Sequence, residues 1–171
     1  TEYKINSENF YSRTKHIEVD TKLLSDLLDQ FFKKNISNLN ANKNFLVSNT
    51  ENLINSKYVS YGNHTMSHFL LSSISKQNQI EEIQACHDFL NNSRLKNISE
   101  IFSVPFGGLN SFDKNTVEIL NDLNYKGILL SRSRVNNVLS SRFDKDLGID
   151  RLERFMPVND LRLFKKQFLS L

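Results

Sequence analysis

Lys57-Tyr58-Val59-Ser60-Tyr61-Gly62-Asn63-His64-Thr65-Met66-Ser67-His68 is the stretch on which the reading of this chain turns. β-Branched and aromatic residues at strand spacing over residues 57–61 predict a short buried strand, which Gly62-Asn63 ends just before His64. On a helical turn, positions i and i+4 emerge on one face with Cβ atoms roughly 5–6 Å apart, so the imidazoles of His64 and His68 can reach one metal ion. The pair stands where a strand hands over to a loop, the end of an α/β sheet where chemistry collects. Spacing alone also fits two ordinary polar residues of a loop or helix start.

Outward from this stretch, strand and helix patterns alternate. Downstream, residues 75–95 read as a long amphipathic helix with Ile80, Ile83, Phe89 and Leu90 inward and Glu81 and Glu82 near the positive end of its dipole. Cys86 and His87 on it are expected to be packing or surface residues. Residues 98–104 read as a strand closed by Pro105 and the Gly107-Gly108 turn. Asp113 or Ser111 then caps a helix bearing Val117, Ile119, Leu120 and Leu123, stopped near Gly127. A buried strand over 127–131, a polar excursion over 132–149, a strand over 151–156 and a closing amphipathic helix over 160–171 complete the pattern.

Upstream, residues 1–15 are polar and patternless, and 16–20 alternate like a short extended entry. Asp20-Thr21 can cap a helix whose stripe Leu23, Leu24, Leu27, Leu28, Phe31 and Phe32 is expected to be core. Residues 35–43 read as a loop and 45–47 as a short strand; Ser48 or Thr50 is expected to cap a brief helix carrying Leu53 and Ile54. Strands alternating with helices imply an α/β fold whose parallel sheet is closed or nearly closed into a barrel.

A chain of 171 residues with 39% hydrophobic content can bury one core, and one compact domain is expected. The net charge of +3, from 22 basic and 19 acidic residues, permits a weak attraction to anionic glycans or surfaces. No basic block or aromatic-basic repeat accompanies it, and a pI near 8.9 alone does not support nucleic-acid binding. The single cysteine, Cys86, excludes an internal disulfide and leaves the compartment open. No run of about 18 apolar residues and no signal-like start is present, so no membrane span is expected and localisation is unknown. The abrupt start at Thr1 without Met is expected to reflect excision from a longer protein.

Gly62-Asn63-His64-Thr65-Met66-Ser67-His68, the Leu70-Leu71 that follows, Glu81-Glu82, and Phe102-Ser103-Val104-Pro105-Phe106-Gly107-Gly108 together resemble the polysaccharide deacetylases, the NodB-homology group or carbohydrate esterase family 4. The His-[Ser/Thr]-x-x-His and x-x-Pro-[Phe/Tyr]-Gly motifs stand in the family's order and at about its separation. The resemblance runs from Phe45 to about Val158. It divides the chain into an N-terminal segment with one amphipathic helix, residues 1–44, and a NodB-type domain, residues 45–171. The fold it implies is a distorted (β/α) barrel, possible here in a form incomplete at the N-terminus.

The activity it implies is metal-dependent removal of acetyl groups from an N-acetylated glycan. By that resemblance His64 and His68 bind a divalent ion, most often zinc, which polarises the acetamide carbonyl and lowers the pKa of a bound water toward ~7. Thr65 matches the Ser/Thr position and would brace the loop. Pro105, Phe106 and Gly107 match the second motif, with Pro105 and Gly107 bordering substrate. Proline fixes φ and glycine permits a sharp turn, so the Phe106 N–H can serve as an oxyanion donor. Arg154 resembles a late strand-end arginine and is taken as substrate-binding, with an exposed salt-bridging role as the alternative.

The sequence departs from the family in three places. Ser103 stands where many members carry arginine. The Thr-Phe-Asp-Asp-Gly motif, which supplies the third ligand and the base, is missing; it is expected upstream of Thr1, with Asp20 as a degenerate stand-in the second option. No histidine follows His87 to act as general acid. This polypeptide alone is therefore expected to bind metal weakly and to be inactive, and a non-catalytic glycan-binding module on the same scaffold is the competing reading. Oligomeric state is not legible.

Overall fold

The computed structural model describes residues 12–35, 51, 53–132, 134, 136, 142–154 and 162. The expectations for residues 1–11, 45–47, 48–50 and the closing helix over 160–171 lie outside the described residues, apart from Arg162.

Two parallel strand pairs sit at the centre. Strand β1 (Ile101–Ser103) pairs with β2 (Gly127–Leu130), which pairs with β4 (Ile149–Glu153); the two-residue β3 (Phe143–Asp144) adds antiparallel to β4, giving the order β1-β2-β4-β3. Outside β1, the chain at 61–63 runs alongside 97–103. Tyr61 bridges Ile98 in parallel, and the Ser103 N–H donates to the Asn63 carbonyl at 2.9 Å. The strand expected over residues 57–61 is thus reduced to its last residue and the two that follow. The sheet is mixed and open, and barrel closure is not seen among the described residues.

Helix α1 spans Thr21–Asn35, α2 spans Lys76–Asn92, and α3 spans Lys114–Asp122. Ser75 caps α2, and Asp113 caps α3 through a reciprocal box with Thr116, which satisfies first-turn N–H groups that have no partner within the helix. The core lies between α2, α3 and one face of the sheet, with Ile83, Val117 and Leu120 against Phe102, Ile128 and Leu130. These positions follow the apolar periodicities read from the sequence, and buried aliphatic surface is what holds the layers together.

Four expectations are corrected. The α1 stripe is not core: Leu23, Leu27 and Phe31 are more than half exposed, and only Thr21 is buried. The helix is tied to the body by its first residue, since Thr21 Oγ1 accepts from the Leu70 N–H at 3.0 Å and the Thr21 N–H donates to Ser73 Oγ at 3.3 Å. Phe89, expected inward on α2, is 50% exposed, because α2 turns its Ile83–Leu90 line to the core. Glu81 and Glu82 lie beyond the first turn of α2, which holds no acidic residue. Helix α3 stops at Asp122 rather than near Gly127; Asn124 takes the left-handed conformation (φ 62°) that turns the chain, whereas Gly127 opens β2. No helix among the described residues is long and apolar enough to cross a membrane.

Candidate functional site

His64 and His68 converge, but through a loop rather than a helical turn. Their ring centroids are 4.7 Å apart at an interplanar angle of 79°. The loop achieves this with left-handed backbone at Thr65 (φ 64°) and His68 (φ 59°), a conformation that costs non-glycine residues about 1–3 kcal/mol each. Hydrogen bonds hold it there. The buried Asn63 accepts the Thr65 N–H on Oδ1 at 2.9 Å and donates from Nδ2 to the Ile83 carbonyl and to Tyr125 Oη, both at 2.9 Å. Thr65 Oγ1 accepts the His68 N–H at 3.0 Å. From α2, the Glu82 carbonyl accepts from Met66 N–H and its carboxylate from Ser67 N–H.

The orientation of His64 is set from β1. Its Nδ1 lies 2.8 Å from the Ser103 carbonyl oxygen; a carbonyl only accepts, so Nδ1 carries a proton, and in the neutral ring the lone pair is on Nε2. Ser103 acts here through its backbone, so the serine in place of the family's arginine leaves this contact unaffected. Burial and the neighbouring His64 hold the His68 pKa below the ordinary histidine value, and the Lys15 charge pulls in the same direction. Behind the loop, burial pushes the Cys86 thiol up, against a hydrogen bond with the His64 backbone.

The second motif meets the first. The Phe106 ring stacks edge-on against His68 with centroids 4.9 Å apart. Phe106 (φ 63°) and Gly107 (φ 65°) are both left-handed, and Pro105 before them is fully buried. No acceptor among the described residues takes the Phe106 N–H. Gly107 is required twice over: besides its φ, a Cβ there would lie 2.4 Å from Ser131 Cβ, while its carbonyl accepts the Ser131 N–H at 3.0 Å.

Other candidates stand apart. Arg154 is exposed at the end of β4, its backbone N–H donating to the Leu130 carbonyl, and no contact brings its side chain to the histidines. Asp20 Oδ1 caps α1, accepting the Lys22 and Leu23 N–H groups at 2.9 Å. Among the described residues no group of three His, Cys, Asp or Glu side chains could enclose an ion. As a pair, the histidines fit two positions of a divalent ion's coordination shell, since one nitrogen of His64 is left free and His68 favours the neutral form. A cavity of about 590 Å³ lined by Phe112, Val117, Asp144, Leu147 and Arg151 contains none of the motif residues.

Sequence reasoning missed Asn63 as the loop's internal brace, although it lay inside the quoted motif. It also missed Lys15, whose Nζ sits 5.4 Å from the centroid of the Phe106 ring; a polar, patternless segment gave no signal for it.

A two-histidine loop and a Pro-Phe-Gly turn are brought together at the carboxyl end of parallel strands in an α/β domain. The family model for polysaccharide deacetylase matches residues 34–128, and the chain belongs to that family. No curated protein and no solved structure matches it.

Proposed function

We propose that the protein is a divalent-metal-dependent hydrolase that removes N-acetyl groups from a polysaccharide or oligosaccharide. The observation that carries this reading is the contact of His64, His68 and Phe106 within the family match. In it, residues 45–171 form the deacetylase domain, residues 1–44 precede it as a segment with one helix, and the four-stranded sheet is the described part of a distorted (β/α) barrel.

His64 and His68 would hold the ion, zinc being the usual partner for imidazole donors. Bound there, such an ion supplies Lewis acidity and a water of lowered pKa. The remaining work belongs to the chain. His64, pinned to the Ser103 carbonyl, presents Nε2 in a fixed direction, and Thr65 braces the loop beneath His68. The Phe106 N–H donates to the acyl oxygen as it gains negative charge, an effect of about 3–4 kcal/mol by analogy with oxyanion donors. Pro105 and Gly107 fix that donor's direction and border the sugar. Arg154 offers hydrogen bonds to sugar oxygens from the end of β4.

Acetate release from a panel of N-acetylated oligosaccharides, chitotetraose among them, in the presence of zinc tests the proposal. Release that is lost in His64→Ala and His68→Ala is the expected result, and it would overturn the expectation that a chain without the Thr-Phe-Asp-Asp-Gly motif is inactive. Binding of a glycan with no release would favour the non-catalytic module instead, and neither binding nor release would overturn both.

A further inference from the structure

His87, which the sequence pattern marks only as a packing or surface residue, ends a chain of side-chain hydrogen bonds that begins at the histidine loop. Every donor in that chain can be assigned. The Thr65 N–H donates to Asn63 Oδ1 at 2.9 Å, and the Ile83 carbonyl, which only accepts, takes a hydrogen bond from Asn63 Nδ2 at 2.9 Å. The orientation of the Asn63 amide is thereby fixed from both sides. Its other Nδ2 proton goes to Tyr125 Oη, also at 2.9 Å, so the phenol oxygen accepts there and its own proton points elsewhere. His87 Nδ1 lies 3.2 Å from that oxygen. A proton on Nδ1 would leave the hydroxyl proton without an acceptor among the described residues, so the hydroxyl donates to a bare Nδ1. Neutral His87 then carries its proton on Nε2, the reverse of His64.

The chain joins elements that are distant in sequence. His87 belongs to α2, Tyr125 to the turn between α3 and β2, and Asn63 to the segment beside β1. Tyr125 is buried and firmly held. Its ring packs edge-on against Phe102 of β1 at 6.0 Å between centroids and against the His87 imidazole at 5.7 Å, and its N–H donates to the Leu120 carbonyl at 2.9 Å. Burial pushes the Tyr125 pKa up, against the Asn63 hydrogen bond, so the hydroxyl keeps the proton it donates. At the other end, Asn63 holds the Thr65 N–H where the backbone is left-handed, and Thr65 Oγ1 holds the His68 N–H at 3.0 Å. Members of a buried hydrogen-bond network reinforce one another, so the direction of each bond constrains the next.

We infer that Tyr125 and His87 are positioning residues for the metal-binding loop: the His87 acceptor orients the Tyr125 hydroxyl, which holds Asn63 and, through it, the turn that brings His64 and His68 together. The inference rests on the proposed reading of those histidines as metal ligands. It adds two residues outside both motifs that act on the ion only through others.

The test uses the whole protein, with zinc alone as the probe. In the metal-free form, imidazole nitrogen shifts should show His87 as the Nε2–H tautomer and His64 as the Nδ1–H tautomer. Tyr125→Phe deletes the hydroxyl and keeps the ring; it should move the Thr65 and His68 backbone amide resonances and weaken zinc binding about tenfold by calorimetry, the scale of an outer-shell loss. His87→Leu should do the same, whereas His87→Asn, which keeps an acceptor near the Nδ1 position, should restore both readouts. A role in packing alone would make His87→Leu and His87→Asn alike, or would lower the unfolding midpoint while the loop resonances and zinc affinity stay at wild-type values. Either outcome overturns the inference, as does an Nδ1–H tautomer at His87. Zinc that fails to bind the wild type overturns the metal reading instead, and the loop resonances with the asparagine rescue then decide the positioning role by themselves.

Discussion

The imidazole of His64 is fastened to the carboxyl end of β1 by a 2.8 Å contact between its Nδ1 and the Ser103 carbonyl oxygen. That contact fixes the tautomer, and with it which nitrogen is left to bind a ligand. Zinc titration by calorimetry should give measurable affinity in the wild type, and His64→Ala should weaken it at least tenfold, as should His68→Ala. Equal affinity in all three proteins would remove the histidines from any metal-binding role.

Asn63 is fully buried, and its side chain makes three hydrogen bonds. Asn63→Leu leaves the Thr65 N–H and the Tyr125 hydroxyl without it and should destabilise the fold by about 1–3 kcal/mol, read from urea unfolding. Nitrogen chemical shifts of His64 should at the same time lose the signature of a single tautomer, whereas Asn91→Leu on the exposed face of α2 should change neither.

Gly107 and Gly148 both have φ near +65° (65° and 68°), but only Gly107 is crowded by Ser131; among the described residues nothing lies within 4 Å of a Cβ at Gly148. Gly148→Ala therefore measures backbone strain alone, about 1 kcal/mol, while Gly107→Ala adds a steric clash and should lose about 2–4 kcal/mol. Equal losses would mean that the turn shifts away from Ser131 freely.

Arg132 and Glu153 form an ion pair at 3.1 Å with side chains 16% and 11% exposed, and the buried Glu153 Oε2 has no partner among the described residues. Removing the cation strands a buried carboxylate, so Arg132→Met should destabilise by about 3–5 kcal/mol, and Arg132→Met with Glu153→Leu should recover most of it. A double variant no more stable than the single one would show that the pair is not the source of the loss.

His68 has a folded-state pKa below its ordinary value of 6.5, mainly through burial and then through His64. As pH falls through 6.5 the unfolded chain takes up this proton first, so the metal-free protein should lose stability from there downward until the folded form is protonated too. Unfolding curves of wild type and His68→Asn across this window should diverge, the variant being less sensitive to acid. Parallel curves would show that His68 is not perturbed by folding.

Read by itself, the chain disclosed the family, the two motifs, the alternation of strands and helices, and most of the core on α2, α3, β1 and β2. These are local properties: hydrophobic period, cap chemistry and motif spacing are written within a few consecutive residues. The spacing of His64 and His68 was legible, yet the geometry joining them was not. Two left-handed residues, held by Asn63 and by Glu82 from another element, replace the helical turn that the interval suggested. The stripe on α1 likewise announced an apolar face, but a period cannot say what covers it, and Leu23, Leu27 and Phe31 are left largely exposed. Only tertiary structure set Lys15 over Phe106 and Ser131 against Gly107, because which distant segments meet depends on the packing of the whole chain.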